Sequence, residues 1–557
     1  MTSAAATGTS GRTSPRAWRD ADSAIWPIIA LGVLLAVQAA MIPAHAVNWD
    51  ESLHYGVLHD LASGEAVGVL QSLYLRPYLW LAGTGNTIDN IVLARWGQWL
   101  FEAVAIASIY VVARRFADRT SAVLAALAYL SAGYVLQNGF ALRADPMVTA
   151  VLMSCLAILT RCPLRWPVVL AAGMLGGLAP MLSIKAVLYA PAFAGILWMR
   201  WNESGRSRAA LARIISFAII AAAAFAAIYA VHAAAIGAPG GGTERSFSMA
   251  NSAANRMFFI GRPNNLGALV YFMMTAVGTT ILILAAPFGI ARHTGAKADR
   301  IALTGLLLPV LTPFFYENTA AYFYVFMLAP VAAACAVSIT LVRRVVPALA
   351  ISGLLLAFAV PLLLTEDWSM IERQRRLAAE LGVMWDKPVA YFDHADVAPA
   401  LNKRNPFQTP WGYRGYLANG APIYREAMER EPVPLFIPNW WTFRDLLSGN
   451  EDLFLPADAK ALRENYVPFN GPIWLAGKDI PPGSSGIHEF LVPGPYTLHG
   501  GSARIDGREM DSGAVTVLTR GFHRIETPDD GKGIRLVWGN RITSHDRLDF
   551  THTWVPF

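Results

Sequence analysis

The sequence contains about eleven apolar runs that are long enough, or nearly long enough, to cross a lipid bilayer. A spanning helix needs about 20 predominantly apolar residues, with a lower limit of about 17. The chain of 557 residues is 55% hydrophobic and only 15% charged, which is too apolar for a soluble protein of this size. We therefore predict a polytopic α-helical membrane protein. Its apolar runs are 24–46, 91–113, 121–138, 145–160, 167–182, 185–200, 211–236, 266–291, 300–316, 319–341 and 345–365.

Basic residues occupy every second connection between these runs, beginning with Arg12, Arg16 and Arg19 before the first one. By the positive-inside rule these connections face the cytoplasm, and the segments between them, including 47–90 and everything after about 366, face outward. The first run exceeds the core of about 7–15 residues of a signal peptide, so we interpret it as an uncleaved helix. The sequence thus predicts a multi-pass protein of the inner (cytoplasmic) membrane, with a cytoplasmic N-terminus and a periplasmic or extracellular C-terminal region.

The character of the sequence changes near residue 365, where short β-type runs and turn residues replace the long apolar runs. We predict a cytoplasmic tail (1–23), a transmembrane domain (24–365), an external α/β domain (366–483) and an external β-sandwich-like domain (484–557). The formal charge of +6 arises from small arginine clusters between apolar runs, and this pattern does not indicate a nucleic-acid partner. The C-terminal third contains no cysteine, which excludes a disulfide framework there.

Two adjacent carboxylates, Asp50 and Glu51, follow directly on the first apolar run. Carboxylates at the mouth of a membrane span are costly to place there, so they call for an explanation. On a helix, Asp50 shares a face with His54, and Glu51 shares a face with Tyr55, because each pair is four residues apart. The structural alternative is that Asp50 is the N-cap of a helix in a solvated connector.

Three further charged positions have both a functional and a structural interpretation. In Arg143-Ala144-Asp145-Pro146, Asp145 suits the N-cap of the next span and the proline suits its first turn. Lys185, at the outer edge of its span, either snorkels to the interface or meets a lipid phosphate. Glu102 falls near the middle of the second run, where a carboxylate is functional or forms a buried pair with an arginine.

Taken in chain order, these features resemble the membrane glycosyltransferases of the GT-C superfamily, in particular the protein O-mannosyltransferase and lipid A aminoarabinose transferase group. The resemblance covers roughly residues 24–365 and is looser in 387–480. It rests on the first span, Asp50-Glu51, Arg143-x-Asp145 and the Gly-Leu-Ala stretch that leads to Lys185. The sequence departs from the family pattern at two places, and these differences bear on which sugar is donated and on the subgroup. His54 and Tyr55 follow four and five residues after Asp50, where the family often has a tyrosine sooner, and Lys185 is followed by Ala-Val instead of Gly-Pro.

The resemblance implies an inverting glycosyltransferase that moves a sugar from a polyprenyl-phosphate donor to a hydroxyl of a periplasmic or extracellular cell-envelope acceptor, which is a lipid, a polysaccharide or a protein. By family match Asp50 is the general base, and Glu51 orients the acceptor or helps to bind a divalent cation, Mg²⁺ or Mn²⁺, with Asp50 and His54 as further ligand candidates. A phosphate leaving group needs cations more than a general acid. The candidates are Lys185, Arg76 and Arg143, then Asp145, His54 and Tyr55 as further substrate-binding residues, and finally Arg245, Arg256 and Arg262.

Two rival functions come from other classes of protein. A transporter or flippase of a lipid-linked glycan predicts paired discontinuous helices and several charges near the membrane midplane, where only Glu102 clearly falls. A non-enzymatic glycan-binding scaffold would use aromatic segments such as Trp440-Trp441 and Trp411-Gly412-Tyr413 for stacking, although buried aromatics of a small β domain are the commoner explanation. That scaffold leaves the carboxylates of the first loop without a role.

Overall fold

The computed structural model of the chain describes residues 22–65, 67–83, 85–237, 261, 263, 265–406, 409–529 and 531–554. Arg245, Arg256 and Arg262, and all of the predicted tail before Asp22, lie outside the described residues. The chain divides into two compact units. The helical unit comprises the described parts of Met1–Ile42, Gly68–Tyr74 and Trp96–Glu366, and the mixed unit comprises those of Pro43–Val67, Leu75–Arg95 and Asp367–Phe557.

The helical unit is built from α-helices joined by turns and short 3-10 segments. The division between the units falls within the helix Thr87–Ala113, between Arg95 and Trp96. The helices of this unit are α1 (Ile25–Met41), α3 (Thr87–Ala113), α4 (Arg119–Leu130), α5 (Gly133–Asn138), α6 (Ala144–Arg161), α7 (Trp166–Leu182), α8 (Ala190–Glu203), α9 (Arg208–Ala235), α10 (Leu266–Thr275), α11 (Val277–Ala291), α12 (Lys297–Leu307), α13 (Phe323–Val342) and α14 (Ala348–Thr365).

The core of the helical unit lies around α13. Every residue of α13 from Phe323 to Ile339 is buried, and the helix contacts α4, α6, α11 and α12. A helix that is apolar all round is stable only when neighbours cover it on every side. In contrast, α9 is almost entirely apolar yet exposed along most of its length, with Ile215 and Ile219 among its most accessible side chains. Such a surface suits lipid and not water, so the helical unit is a membrane domain.

The number of membrane spans differs from the expected count. In the part of the chain that the structure describes, five helices are long and apolar enough to cross a membrane, namely α3, α6, α9, α13 and α14, and a sixth span is possible if α10 and α11 form one. These two helices meet at an angle of 100°. Three shorter apolar helices, α1, α4 and α7, accompany them. The prediction of about eleven spans is therefore not confirmed.

The runs that do not form one long helix are broken at identifiable residues. The run 121–138 turns at Ala132, whose backbone is extended, and becomes α4 and α5. The run 300–316 ends its α-helix at Leu307 and continues as a 3-10 segment, Leu308–Phe314, that contains Pro309 and Pro313. Proline has no N–H to donate to the preceding turn, which explains why the α-helix does not continue there.

The mixed unit combines helices with two β-sheets. Its helices are α2 (Trp49–Ser63), α15 (Met370–Val383), α16 (Pro410–Asn419), α17 (Ile423–Arg430), α18 (Trp441–Leu447) and α19 (Pro456–Asn465). Its strands are β1 (Ala390–Asp393), β2 (Asn402–Lys403), β3 (Leu435–Ile437), β4 (Tyr466–Asn470), β5 (Ile473–Ile480), β6 (Ser485–Phe490), β7 (Gly494–Gly500), β8 (Ala503–Ile505), β9 (Arg508–Met510), β10 (Val515–Leu518), β11 (Gly521–Glu526) and β12 (Ile534–Trp538).

The larger sheet has eight strands in the order β10-β7-β12-β5-β3-β1-β2, with β4 also paired to β5. Strand β1 pairs in parallel with β2 and β3, and the other pairs of this sheet are antiparallel. The smaller sheet, β6-β11-β8-β9, is antiparallel, and one hydrophobic cluster joins its Phe490 and Ile525 to Leu498 and Leu536 of the larger sheet. The C-terminal region is thus an α/β sheet region, and because β5 pairs with both β3 and β12 its larger sheet continues across residue 483.

Candidate active site

The helix that carries Asp50 begins with a capping box. The Asn48 side chain accepts a hydrogen bond from the Asp50 N–H at 2.8 Å, and a Glu51 carboxylate oxygen accepts one from the Asn48 N–H at 3.0 Å. Asn48 is therefore the N-cap of α2, and the interpretation of Asp50 as a cap is wrong. Asp50 lies two residues further on, in the first turn of α2, and is buried, 7% exposed.

A buried ion pair fixes the chain at this helix start. Arg95, fully buried in α3, donates through Nε to Glu51 Oε1 at 2.9 Å and through Nη2 to Glu51 Oε2 at 2.6 Å. The same guanidinium donates to the carbonyl oxygens of His45 and Ala46 at 2.8 and 2.9 Å. A bidentate pair of this kind holds both partners in one orientation. Glu51 thus supports the segment on which Asp50 lies.

Gln374 of α15 holds the next residue of the same segment. Its amide oxygen accepts from the Val47 N–H at 2.8 Å, and its amide nitrogen donates to the Val47 carbonyl at 2.8 Å and to the Thr553 carbonyl at 2.6 Å. The Gln374 side chain is completely buried. Two buried polar side chains, Arg95 and Gln374, therefore hydrogen-bond to the backbone of residues 45–47. They satisfy these backbone groups as a neighbouring strand would.

Helix α2 rests on the carboxyl ends of the parallel strands. Trp49 packs edge-on against His394, which follows β1, with ring centroids 5.3 Å apart, and Trp440, which lies beyond β3, stacks on His394 at 4.8 Å. Burial lowers the pKa of His394 to about 3, so the ring is neutral at physiological pH. Two turns along α2 from Trp49, a Cβ on Gly56 would lie 2.0 Å from an Asp396 oxygen, so only glycine permits this approach.

The remaining candidates of the first loop have different surroundings. The Tyr55 hydroxyl donates to the Leu81 carbonyl at 2.8 Å and accepts from the Asn90 amide at 2.9 Å, and burial raises the pKa of this hydroxyl. Tyr55 therefore anchors α2 to the segment before α3. His54 is partly buried on α2, and Arg76 is partly buried in the 3-10 segment Leu73–Leu81.

The helical unit brings together three predicted residues that are distant in the sequence. Lys185 Nζ lies 2.8 Å from Asp145 Oδ1, and Arg143 Nε lies 3.3 Å from Asp145 Oδ2. All three side chains are buried, with exposed fractions of 3–9%. The Arg143 guanidinium also lies over the Tyr322 ring, 3.3 Å from its centroid, and Lys185 Nζ is 4.9 Å from the same centroid. The result is a compact cationic cluster on an aromatic face.

Local sequence explains how this cluster is positioned. Helix α6 begins at Ala144, with Arg143 as the residue before it, so Asp145 lies in the first turn and the prediction that it is the N-cap is wrong by two positions. Lys185 follows Ser183, whose hydroxyl caps a short 3-10 segment, Ile184–Tyr189, after α7 ends at Leu182. The glycine-rich part of α7 packs on α9, where a Cβ on Gly177 would lie 2.4 Å from the Ala221 carbonyl.

Glu102 pairs with no arginine among the residues that the structure describes. Its partner is Tyr129 of α4, whose hydroxyl lies 3.2 Å from Glu102 Oε2 and 2.9 Å from the Val325 carbonyl. The Arg95 that shares a helix with it pairs instead with Glu51. Glu102 is fully buried, and a Cβ on Gly139 would lie 2.7 Å from its other oxygen. Glu102 is thus part of a buried tyrosine–carboxyl contact between helices.

The described residues contain no group of three or more His, Cys, Asp or Glu side chains arranged to hold a metal ion. Both oxygens of Glu51 already accept hydrogen bonds from Arg95, so Glu51 in this arrangement does not fit a cation site. Of the suggested glycan-stacking aromatics, Tyr413 and Trp440 are engaged in other contacts, and the side chain of Trp411 is outside the part that the structure describes. The Tyr413 hydroxyl lies 2.9 Å from the Thr442 hydroxyl, and Trp440 stacks on His394, whereas Trp441 is 46% exposed.

Sequence reasoning missed three residues of these clusters. The first is Arg95, although an arginine inside an apolar run is itself a signal for a buried carboxylate partner. Tyr322 belongs to an aromatic group beside a short predicted outward connection, which is a weak signal. Gln374 gave no signal, because a buried glutamine in an amphipathic helix looks like any polar residue of its solvent face.

No family model and no curated protein matches the chain. Among solved structures, the chain is similar to ArnT from Cupriavidus metallidurans in the apo state, with a TM-score of 0.51 and 14% identity over 81% of this chain and 97% of that chain. It is also similar to the apo form of the oligosaccharyltransferase from Archaeoglobus fulgidus, with a TM-score of 0.50 and 11% identity over 93% of this chain and 97% of that chain. Identities this low concern the fold alone. The expected GT-C-like fold is confirmed.

Proposed function

We propose that this chain, which has a GT-C-like fold, is an inverting glycosyltransferase of the inner membrane. It moves a sugar from a polyprenyl-phosphate donor to a hydroxyl of a cell-envelope acceptor on the periplasmic or extracellular side. The acceptor is a lipid, a polysaccharide or a protein. This proposal extends the resemblance of Asp50-Glu51, Arg143-x-Asp145 and Lys185 to the chemistry that these residues perform.

The observation that carries the proposal is the position of Asp50. Its carboxylate is buried in the first turn of α2, while Asn48 and Glu51 already satisfy the helix end. A general base must be held in one place, since proton transfer requires an approach within hydrogen-bond distance. Arg95 and Gln374 supply that rigidity by fixing residues 45–47 immediately before the helix. We assign Asp50 as the base that deprotonates the acceptor hydroxyl.

The leaving group of such a donor is a lipid phosphate, and Lys185 and Arg143 are the residues we assign to it. Charge develops on the phosphate oxygen as the glycosidic bond breaks, and preorganised cations stabilise that charge best in a partly desolvated site. Asp145 lies between the two cations and fixes their positions. Arg76 and His54 remain further candidates for substrate contact, whereas both hydrogen bonds of Tyr55 support α2.

The reaction is then a single displacement. The acceptor oxygen forms a bond to the anomeric carbon as its proton passes to the Asp50 carboxylate. The bond from that carbon to the phosphate oxygen breaks, and the electron pair leaves with the polyprenyl phosphate. Attack from the face opposite the leaving group inverts the anomeric centre. We derive no step through a divalent cation, because Glu51 is committed to Arg95.

The test is transfer by the purified full-length chain in nanodiscs. Wild-type protein is incubated with polyprenyl-phosphate sugars and an extract of cell-envelope acceptors, and the products are analysed by mass spectrometry. We expect a sugar-bearing acceptor and free polyprenyl phosphate in equal amounts, and no product from nucleotide sugars. Movement of an intact lipid-linked glycan across proteoliposomes, without any transfer, would instead support a flippase. Comparison of envelope glycans with and without the gene would identify the acceptor.

A further inference from the structure

Helices α8 and α12 of the helical unit enclose an open groove that none of the proposed chemistry uses. Its volume is about 760 Å³, and its walls include Ala194 and Trp198 on one side and Arg300, Ile301 and Leu308 on the other. The helices approach closely because glycines lie at their contact. A Cβ on Gly195 would lie 3.0 Å from the Ala302 Cα, and one on Gly305 would lie 2.3 Å from the Pro191 carbonyl. Small residues thus form the floor and larger ones the rims.

The groove is polar at one end and apolar at the other. Trp198, Lys297 and Arg300 line one end, while Pro191, Gly305 and Leu308 line the other. The eleven residue steps from Lys297 to Leu308 correspond to roughly 16 Å along a helix, at about 1.5 Å per residue. Trp198, Ile301 and Leu308 are each 37–40% exposed, so the groove is accessible from outside the unit.

The two cations of the groove have no carboxylate partner among the residues that the structure describes. Arg300 donates through Nε to the His293 carbonyl at 3.2 Å, and Lys297 forms no ion pair with any described residue. The neighbouring acid, Asp299, is not available to them. One of its oxygens lies 3.2 Å from Arg115 Nη2, and the other accepts from the Ala296 N–H at 3.1 Å. The polar end of the groove is therefore positively charged.

We propose that this groove binds one anionic membrane lipid, with its phosphate at Lys297 and Arg300 and an acyl chain along the apolar end. Basic side chains at a membrane surface attract anionic headgroups, and tryptophan is favoured at the depth of the headgroups. An acyl chain in this position would lie against the side chains of Ala194, Ile301 and Leu308. A free phosphate ion would use only the polar end and would leave the rest of the groove unexplained. The binding does not depend on the proposed transfer reaction.

The experiment is native mass spectrometry of the delipidated full-length protein, titrated with phosphatidylglycerol or with zwitterionic phosphatidylcholine. We expect wild type to bind one phosphatidylglycerol at least about tenfold more tightly than phosphatidylcholine. Each basic side chain beside an anionic headgroup adds to the binding free energy. Lys297→Gln with Arg300→Gln should abolish that preference. Ala194→Phe, which fills the groove without changing its charge, should weaken binding of both lipids.

The matched control is Arg208→Gln with Arg213→Gln, which also removes two positive charges from the helical unit but at residues that do not line the groove. Its affinity for phosphatidylglycerol should stay within about twofold of wild type. Equal binding of the two lipids by wild type would overturn the proposal, and so would a control variant that loses as much affinity as the groove variant. Displacement of the lipid by millimolar inorganic phosphate would show that the acyl chain is not recognised. Lys297, Arg300 and Arg208 are exposed and Arg213 is half-buried, so the melting temperature of each charge variant is recorded beside its lipid affinity.

Discussion

At the scale of single residues, the contact between Glu51 and Arg95 determines where Asp50 lies. Both side chains are 0–1% exposed, and the guanidinium makes two hydrogen bonds to the carboxylate and two to backbone carbonyls. Breaking a buried pair leaves an uncompensated charge, which costs far more than the net value of the intact pair. The strength of this contact is therefore visible only when one partner is removed.

We expect Glu51→Gln and Arg95→Gln each to destabilise the protein by about 3–5 kcal/mol, and the double variant to lose less than the sum. Thermal unfolding of wild type, the two single variants and the double variant in detergent measures this double-mutant cycle. The exposed pair Arg535–Asp479 is the matched control, because Asp479→Asn should cost at most about 1 kcal/mol. Strictly additive losses for Glu51 and Arg95 would show that the pair does not hold the segment.

Lys185 is tested through donor affinity. If it binds the donor phosphate, Lys185→Ala should weaken binding of a polyprenyl-phosphate sugar while the protein stays folded. Lys185→Arg should retain part of the affinity, since the charge is kept although the geometry differs. Lys387→Ala, at an exposed lysine of the mixed unit, is the control and should bind as wild type does. Unchanged affinity in Lys185→Ala would reduce the residue to a structural partner of Asp145.

At the scale of elements, helix α2 and the loop after β1 bring two carboxylates, Asp60 and Asp396, close enough for their charges to interact. Burial, together with the neighbouring charges of Asp396 and Glu65, raises the pKa of Asp60 to about 6, while His59 opposes this shift. Burial also raises the pKa of Asp396. The folded state therefore holds the Asp60 proton more tightly than the unfolded chain, whose aspartate has its ordinary pKa of 3.8.

The sign of the resulting pH dependence follows directly. The stabilising effect of the Asp60 proton is complete below about pH 4 and is lost as pH rises through about 6. Asp60→Asn keeps the shape without the charge, so its Tm relative to wild type should rise between these pH values and then level off. Melting curves from pH 4.5 to 8 measure this difference. A constant difference across that range would contradict the position of Asp60 near Asp396.

Sequence alone predicts some elements of this fold well and others poorly. Helices α9, α13 and α14 match uninterrupted apolar runs within a few residues, because length and hydrophobicity are sufficient where a helix crosses lipid. The runs that become α4–α5 and α10–α11 were predicted as single spans. Their breaks lie at Ala132 and Ala276, and because alanine favours helix, neither residue marks the break in the sequence.

Some residues of the candidate site were likewise predictable from the sequence, and others were not. The residues Arg143, Asp145 and Lys185 were predicted from the family resemblance, and the structure brings them together. The partners of Glu51 and of Val47 are 44 and 327 residues away in the sequence, so their pairing follows from the fold and not from any motif. The helix cap also shifted by two residues, within the usual uncertainty of helix boundaries, and this shift changed the interpretation of Asp50.

At the scale of the whole molecule, the orientation in the membrane is the prediction with the widest consequences. The basic connections predict a cytoplasmic N-terminus and an external C-terminal region. A reporter enzyme that is active only outside the cytoplasm should work when fused after residue 370 and fail when fused after Arg206. Activity in the opposite pattern would place Asp50 on the cytoplasmic side, where nucleotide sugars are present, and would remove the reason for a lipid-linked donor.

The central claim is that Asp50 is the general base of a sugar transfer, and turnover by Asp50→Asn tests it most directly. The matched control is Asp60→Asn, the same change on the same helix. The measurement compares transfer from a polyprenyl-phosphate donor by wild type and both variants in nanodiscs, with Tm recorded for each. We predict a loss of about 10²–10⁴-fold in kcat for Asp50→Asn with an unchanged Tm, and near wild-type kcat for Asp60→Asn. Wild-type turnover by a folded Asp50→Asn protein would contradict the assignment of the base and, with it, this account of the site.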